Sequence, residues 1–496
     1  MATSAPRSVR VKLRPSRALV IALLGEAALG TTDDEAPSVA VPTTLARAGL
    51  TEVVRQLWRE LHADAAFECP GKLEFRDVKR DALVRGGPLE AYLQRVGAGE
   101  EDALVLEYGL PVGAPSELGE GAPVPDWLSS VDAAAADGAS SSSTVRVLAA
   151  SFDGSLVALA DEHAAGAGAR VVGRYADAHG APIKAVRVFG PGATRAFTAS
   201  KDGSIGVWRV DWGDAATLTR EGSCVGHTDA VECLDVARSS SSPHDALLCS
   251  GGWDGRVRLF EVKLDQSEEG EGAAAAAAAE KKRRAGRLGP TSDKRSREAP
   301  PPRLFRPALA LEGHTDRVSG VCWGGLAEGG ADPVTAFSAS WDLTIRMWDV
   351  VRELETAALQ SVKPATCLDY SHARQLLASG HHDYVVRVWD ARASGDSVVK
   401  FTLKDHNGWV SHVRFEGRDS PLLASASYDR SVRVWDLRAT SRPLFKVENV
   451  LAGQIFGVAW GGALASESSG GDAPRPLPAR LYLAGSEPRL RTYVLS

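Results

Sequence analysis

Cysteine is scarce in this chain of 496 residues: six are scattered, at positions 69, 224, 233, 249, 322 and 367. Their spacing fits neither a zinc site nor the disulfide framework of a small secreted domain, which excludes both and suits a reducing compartment. Most fall in alternating apolar segments, where cysteine serves as a small hydrophobe. Long apolar runs are also missing, and none is long enough to span a bilayer, so no membrane role is expected. Ala18-Leu-Val-Ile-Ala-Leu-Leu24, behind basic residues up to Arg17, has the outline of a secretory signal. It is short, Glu26 breaks the apolar character just beyond it, and Val9-Arg-Val-Lys-Leu13 before it alternates like a strand. Neither sign of charge dominates: 57 Lys and Arg stand against 63 Asp and Glu, a net charge of −6 with no general nucleic-acid footprint. The chain has no glycine-rich phosphate loop, no cluster at metal-ligand spacing and no unique nucleophile, so a non-enzymatic protein without an intrinsic cofactor is expected.

What the chain has is a repeated phrase. Thr198-Ala-Ser-Lys-Asp202 runs on to Trp208, and Ser250-Gly-Gly-Trp-Asp254 to Phe260. Ser338-Ala-Ser-Trp-Asp342 reaches Trp348, Ser379-Gly-His-His-Asp383 reaches Trp389, and Ser425-Ala-Ser-Tyr-Asp429 reaches Trp435. A hydroxyl stands four residues before each Asp and an aromatic six after it. Gly226-His227 and Gly313-His314 precede two copies, and Asp349, Asp390 and Asp436 follow the Trp in three. The flanking residues alternate, as in Val432-Arg-Val434, which is strand periodicity. The Asp falls in a tight turn, where a short acceptor side chain fits. Such self-similarity resembles the WD-repeat β-propeller.

In that family an upstream His, the strand Ser or Thr, the turn Asp and the Trp indole make one buried hydrogen-bonded set. The resemblance implies sets of His179, Thr198, Asp202 and Trp208; of His314, Ser338, Asp342 and Trp348; and of His406, Ser425, Asp429 and Trp435. His227, Ser250 and Asp254 form a set with Phe260 in place of the indole, and Ser379, Asp383 and Trp389 one with no upstream His assigned. Ser, His and Asp together also invite a catalytic reading. A nucleophilic triad, however, occurs once and at an exposed pocket, whereas this constellation recurs at strand positions expected to be buried. A weaker repeat over Val145–Leu159, with Ala149 for the Ser, and a last one from Ile455 to Leu495 bring the expected count to seven blades. The chain stops where the third strand of the last blade would end. An open propeller would expose an edge, so a strand from about Leu110 to Pro125 is expected to close it. Trp253, Trp341, His381, His382 and Tyr428, each beside a turn Asp, are candidate partner anchors at the loops.

Between Lys263 and Pro307 the pattern breaks into an acidic stretch, a run of alanine, and basic clusters at Lys281, Lys282, Arg283, Arg284 and at Lys294, Arg295, Arg297. A disordered loop is expected over 263–307. The paired clusters read as a bipartite nuclear import signal, with a solvated charged loop or a contact with RNA phosphates as alternatives.

Residues 1–108 read as a small α+β domain with a probable insert at 16–37. Val9–Leu13 and Val39–Val41 look like strands, Thr51 is placed to cap a helix carrying Val54, Leu57 and Trp58, and Leu83-Val84, Pro88–Val96 and Leu104–Leu106 follow as strand, helix and strand. That order suggests a ubiquitin-like, β-grasp domain. Residues 109–126 are then a linker and closing strand, and 127–496 the propeller. Ala48-Gly-Leu-Thr-Glu-Val-Val54, Leu83-Val-Arg85, Leu89-Glu-Ala-Tyr-Leu93, Leu104-Val-Leu-Glu-Tyr108 and Asp126-Trp-Leu-Ser-Ser-Val131 resemble one nucleolar family. It is the WD-repeat ribosome-biogenesis factor of the Pescadillo–Bop–WD-repeat complex. The resemblance implies an all-β seven-bladed propeller with an N-terminal ubiquitin-like domain, acting on the pre-60S particle in the nucleolus and nucleoplasm. Its implied partners are a Bop-type subunit, a Pescadillo-type protein and the AAA ATPase midasin. It also implies that Glu101 completes the Mg²⁺ site of midasin, with Glu100 and Asp102 the neighbouring candidates. Two alternatives stand beside it. A Notchless-type factor joins a ubiquitin-like domain to eight blades, and Trp389-Asp-Ala-Arg392 and Trp435-Asp-Leu-Arg438 match the Trp-Asp-x-Arg phrase of cullin-ligase receptors.

Overall fold

The computed structural model describes residues 8–15, 38–61, 73–80, 82–84, 87–97, 104–109, 114–119, 121–135, 144–162, 168–213, 215–239, 245–263, 303–325, 335–392, 399–417, 420–461 and 479–495. The import clusters at 281–284 and 294–297, the triplet Glu100, Glu101 and Asp102, and the segments 16–37 and 264–302 lie outside the described residues.

The first strands build one mixed sheet. Its order across the sheet is Ser38–Pro42, Ser8–Pro15, Leu104–Gly109, Glu74–Asp77, Ala82–Leu83. The central pair is parallel, Val11 opposite Leu104, and the rest are antiparallel. Alternation aims Val9, Val11, Leu13, Leu104 and Leu106 at one face, where Leu50 and Val54 of the helix Arg47–Leu61 and Leu89 and Leu93 of the helix Leu89–Val96 cover them. The long helix starts four residues before Thr51. Thr51 is not its cap: it sits inside, its hydroxyl donating to the Arg47 carbonyl at 2.9 Å. Beginning at Arg47 places the buried Leu50 on the apolar face, which outweighs the capping signal. Gly97 ends the second helix in the left-handed region, φ 64°, its N–H reaching back to the carbonyls of Leu93 and Gln94.

Among the described residues, the rest of the chain forms seven sheets of four or five strands, antiparallel but for one edge strand. Their innermost strands are Leu128–Ala135, Ile183–Phe189, Val231–Arg238, Val318–Trp323, Ala365–Ser371, Val410–Phe415 and Ile455–Gly461. Each packs against the next and the last against the first, a WD40 propeller arrangement. Pro115–Glu117 and Ala122–Pro123 pair with Arg489–Leu495, so the outer strand of the seventh sheet comes from upstream of the first. Arg303–Phe305 adds a fifth, parallel strand to the outer edge of the second sheet beside Thr217–Cys224.

Two ionic groups, one partly and one fully buried, join the sheets. One is a girdle at the same position of five of the seven inner strands, Asp132, Arg187, Asp235, Asp369 and Arg414, with Cys322 and Ala459 in the fourth and seventh. The Asp carboxylates accept the N–H of Val188 at 2.9 Å, of Trp323 at 2.9 Å and of Phe415 at 2.7 Å, each on the following sheet. Arg414 bonds Asp369 at 3.1 Å and Asp132 at 3.0 Å, and Arg187 lies 3.5 Å from Asp235. The other group is at the closure, where Asp161 of the first sheet takes bonds from Arg480 and, at 2.6 Å, from the Tyr482 hydroxyl of the seventh. All three are nearly or fully buried. Asp161→Ala removes the carboxylate partner of a buried guanidinium, and truncating one partner of a buried pair costs about 3–5 kcal/mol. The urea midpoint should drop accordingly, and more than for Tyr482→Phe, which removes one hydrogen bond worth about 1 kcal/mol.

Candidate functional site

The repeat sets come together at the turns. In the second sheet the Trp208 indole donates to Thr198 Oγ1 at 2.8 Å, Thr198 meets His179 Nε2 at 2.8 Å, and His179 Nδ1 meets Asp202 at 2.9 Å. The fourth sheet repeats the chain: Trp348 to Ser338 at 2.8 Å, Ser338 to His314 at 2.7 Å, His314 to Asp342 at 2.8 Å. So does the sixth, with Trp435 to Ser425 at 2.9 Å, Ser425 to His406 at 2.8 Å, and His406 to Asp429 at 3.0 Å. The order is directional. An indole N–H can only donate, so the hydroxyl passes its own proton to Nε2, and Nδ1–H is left to donate to the carboxylate. In the third sheet His227 joins Ser250 at 2.9 Å and Asp254 at 3.0 Å; Phe260 supplies no donor.

The fifth sheet departs from the pattern. Trp389 donates to Ser379 at 2.7 Å, but the imidazole bonded to Ser379, also at 2.7 Å, is His381 from the same strand. Its Nδ1 faces the Lys363 carbonyl at 3.1 Å. Asp383 is therefore not part of the set and turns to Arg387, at 2.5 Å. His381 is fully buried, so it is no loop anchor. A strand position two after the Ser points the same way as the Ser, which is the signal that identifies this substitute. The first and seventh sheets carry Ala149 and Leu483 at the Ser position and have no set.

These hydroxyls cannot serve as nucleophiles. Thr198, Ser250, Ser338, Ser379 and Ser425 are all 0% exposed. Burial works against ionisation of the turn carboxylates, yet hydrogen bonds from the imidazoles outweigh it: Asp254 is brought down to about 2, and Asp202 and Asp429 fall well below the usual range. The arrangement holds turns.

What the turns hold is a mouth. The residue before the turn Asp stands on the rim of a central cavity of about 450 Å³, as Phe152, Trp253, Trp341, His382 and Tyr428 do. Arg317, Trp409 and Phe456, at the entries of three inner strands, complete the rim. The rings touch in sequence. Phe152 meets Phe456 at 5.3 Å, Phe456 meets Tyr428 at 5.7 Å, Tyr428 meets Trp409 at 5.9 Å, Trp409 stacks on His382 at 4.2 Å, and His382 meets Trp341 edge-on at 4.6 Å. The Arg317 guanidinium lies 3.4 Å from the Trp341 ring centre and 5.2 Å from that of Trp253, and Lys201 is 5.5 Å from Trp253. The Trp253 indole donates to Glu232 at 2.9 Å, and Lys184 sits 3.2 Å from the same carboxylate. Trp409 is 44% exposed. An arc of Trp, Tyr and Arg over a cavity is the composition of a binding hot spot. Arg317, Trp409 and Phe456 lie outside the repeated phrase, so the phrase did not point to them.

Cys224, Cys233, Cys249, Cys322 and Cys367 are free and buried, and burial pushes the Cys224 thiol up to about 12. The arginines of the two Trp-Asp-x-Arg phrases fold back on their own Asp, Arg392 on Asp390 at 3.1 Å and Arg438 on Asp436 at 2.9 Å. Among the described residues no group of three or more His, Cys, Asp or Glu is placed to hold a metal, and no helix is long and apolar enough to cross a membrane.

Comparison with known proteins gives this geometry a family. The WD domain, G-beta repeat model matches residues 218–261, 305–349, 358–390 and 397–436. A protein of Oryza sativa subsp. japonica named ribosome biogenesis protein WDR12 homolog is 31% identical over 389 residues, 76% of this chain and 78% of the relative. The chain belongs to the WDR12 family. Relatives of the same name are 29% identical over 76% of this chain in Chlamydomonas reinhardtii, covering 77% of that protein, and 30% identical over 44% in Nematostella vectensis, covering 46%.

The buried imidazoles give this WDR12-family ring an acid-labile core. Burial first, then Arg387, lowers His381 from 6.5 to about 4, and burial lowers His314 in the same direction. Below pH 6.5 the unfolded chain binds protons that the folded ring refuses, so stability must fall as pH falls toward 4, by up to about 1.4 kcal/mol per pH unit for each such group. Asp254 extends the same trend from 3.8 down to about 2. Urea midpoints measured between about pH 7 and pH 5 should decline, with a shallower slope in His381→Gln. A flat or rising profile would contradict the burial of these rings.

Proposed function

We propose that this chain is a non-catalytic scaffold of large (60S) ribosomal subunit assembly and pre-rRNA maturation, working in the nucleolus and nucleoplasm. The observation that carries the reading is the 31% identity, over 76% of the chain, to a protein named for ribosome biogenesis. The sheets agree with it. Seven sheets in a closed sequence of contacts read as seven blades, against eight in the Notchless-type alternative. The small mixed sheet, with Ser8–Pro15 and Leu104–Gly109 parallel at its centre and two helices on one face, reads as a ubiquitin-like domain.

In this reading the propeller docks on the Bop-type subunit, which also holds the Pescadillo-type protein. The small domain engages midasin. Glu101 is the residue offered to the metal of that ATPase. A carboxylate is a hard oxygen donor, suited to an Mg²⁺ ion that keeps water in its other positions. The basic clusters at 281–284 and 294–297 act as the import signal. Pulling on the small domain would load Pro115–Glu117 and Ala122–Pro123 first, because these strands of the seventh sheet are the next paired elements of the chain. The pull would then reach the ring that grips the pre-60S complex.

Affinity purification of the tagged chain followed by mass spectrometry should recover the Pescadillo-type, Bop-type and midasin proteins with pre-60S particles. Recovery of a cullin adaptor in their place would support the receptor alternative instead. Glu101→Ala should weaken metal-dependent capture of a midasin adhesion domain by at least about tenfold, roughly 1.4 kcal/mol, and leave Bop-type binding intact. If Glu100→Ala or Asp102→Ala has that effect and Glu101→Ala has none, the ligand is the neighbour.

A further inference from the structure

Most buried polar groups of the ring are consumed by the ring itself. The repeat sets hold turns, and the girdle holds inner strands. The mouth differs, because its cations rest on ring faces and not on carboxylates. Arg317 and Lys201 have ring faces as their side-chain partners and no carboxylate among the described residues. A cation over an aromatic ring at an open site gains about 0.5–1 kcal/mol, so its charge is still available to a carboxylate. Glu232, on the same side of the mouth, is already engaged by Lys184 and the Trp253 indole.

The opposite half of the rim is uncharged. His382, Trp409, Tyr428, Phe456 and Phe152 form a continuous aromatic arc, with Trp409 standing open to solvent. Burial, then Arg317, lowers the basicity of His382, so this half carries no charge at neutral pH. On the cavity wall, the Ser411 hydroxyl and His412 Nδ1 are buried without a partner in the protein. A polar tip or a water entering from the mouth would satisfy them.

We propose that this mouth docks a linear polypeptide segment in which an acidic residue lies close to an aromatic or aliphatic anchor. The carboxylate meets Arg317 and Lys201, and the anchor rests on Trp409 and Tyr428. A basic segment would meet two unpaired cations. A single-stranded nucleic acid would stack on the rings, but its run of phosphates calls for a basic groove, and the aromatic half of the rim carries no cation. The proposal deepens the scaffold reading and rests on it for the existence of a protein partner; the chemistry of the segment comes from the mouth alone.

The test is panning of a phage-displayed random dodecapeptide library on the full chain, followed by titration of a labelled selected peptide. Selected peptides should carry Asp or Glu within a few residues of an aromatic or Leu. Trp409→Ala and Arg317→Glu should each weaken binding by about tenfold or more. Lys201→Glu, an exposed change that leaves the core untouched, should act in the same direction, and thermal melts establish that the variants fold. Replacing the peptide's acid by Lys should restore binding to Arg317→Glu. No enrichment, a basic consensus, or equal binding by the variants would overturn the proposal. So would a labelled single-stranded RNA that binds and is lost in Trp409→Ala, which would assign the mouth to nucleic acid. Selected peptides together with a failed Bop-type capture would leave this inference standing and sink the named partner alone.

Discussion

A ring of sheets stands or falls on its last join. Six of the contacts between neighbouring sheets follow directly from chain order, and the seventh must bring together segments more than three hundred residues apart. Two devices make it. Residues 115–117 and 122–123 supply the outer strand of the seventh sheet, so its edge is paired and not left as a template for other chains. Asp161 then binds Arg480 and Tyr482 across the same join, in a site that excludes water. Everything that the rim presents depends on this closure, because the aromatic arc runs across it, from Phe456 to Phe152.

The repeat sets and the mouth are one device seen from two sides. The imidazole and backbone bonds to the turn Asp leave that turn little freedom. Thr315 and Asn407 also donate their N–H groups to Asp342 and Asp429, at 3.2 and 2.9 Å. A rigid turn sends the residue just before the Asp to the rim, as in Trp341 and Tyr428. Buried polarity thus preorganises exposed aromatics, and preorganisation lowers the ordering cost of binding.

The WD-repeat pattern was legible because its chemistry is local. Ser338, Asp342 and Trp348 lie within eleven residues, and each is needed by the others. What the pattern hides is whatever depends on the next sheet. His381 replaces an upstream imidazole because a strand brings every second residue to the same face, which the phrase alone does not reveal. Asp132, Asp235 and Asp369 look like ordinary strand-end polars in sequence, yet each spans to a neighbouring sheet. Arg317, Trp409 and Phe456 belong to no repeated phrase and become neighbours of the phrase residues only once the ring is built. In the small domain, the strand Glu74–Asp77 has too few residues to show a period, and Thr51 offered a capping signal that burial of Leu50 overrode.

The girdle also accounts for why the closure needs devices of its own. Each Asp carboxylate ties its sheet to the following one: the first to the second, the third to the fourth, the fifth to the sixth. Clips that work in pairs cannot serve an odd number of sheets. The fourth and seventh have Cys322 and Ala459 at the girdle position, with neither a carboxylate nor a guanidinium; the fourth is still clipped through its Trp323 N–H, and the seventh is not clipped at all by these carboxylates. Arg414 bridges the sixth sheet directly to the first, through Asp132, and so passes the seventh by. The sheet omitted from the inner girdle is the one that receives the upstream strand and the Arg480 cluster. Stabilisation removed from the axis of the ring is restored at its wall and outer edge, at the one join where chain connectivity supplies none.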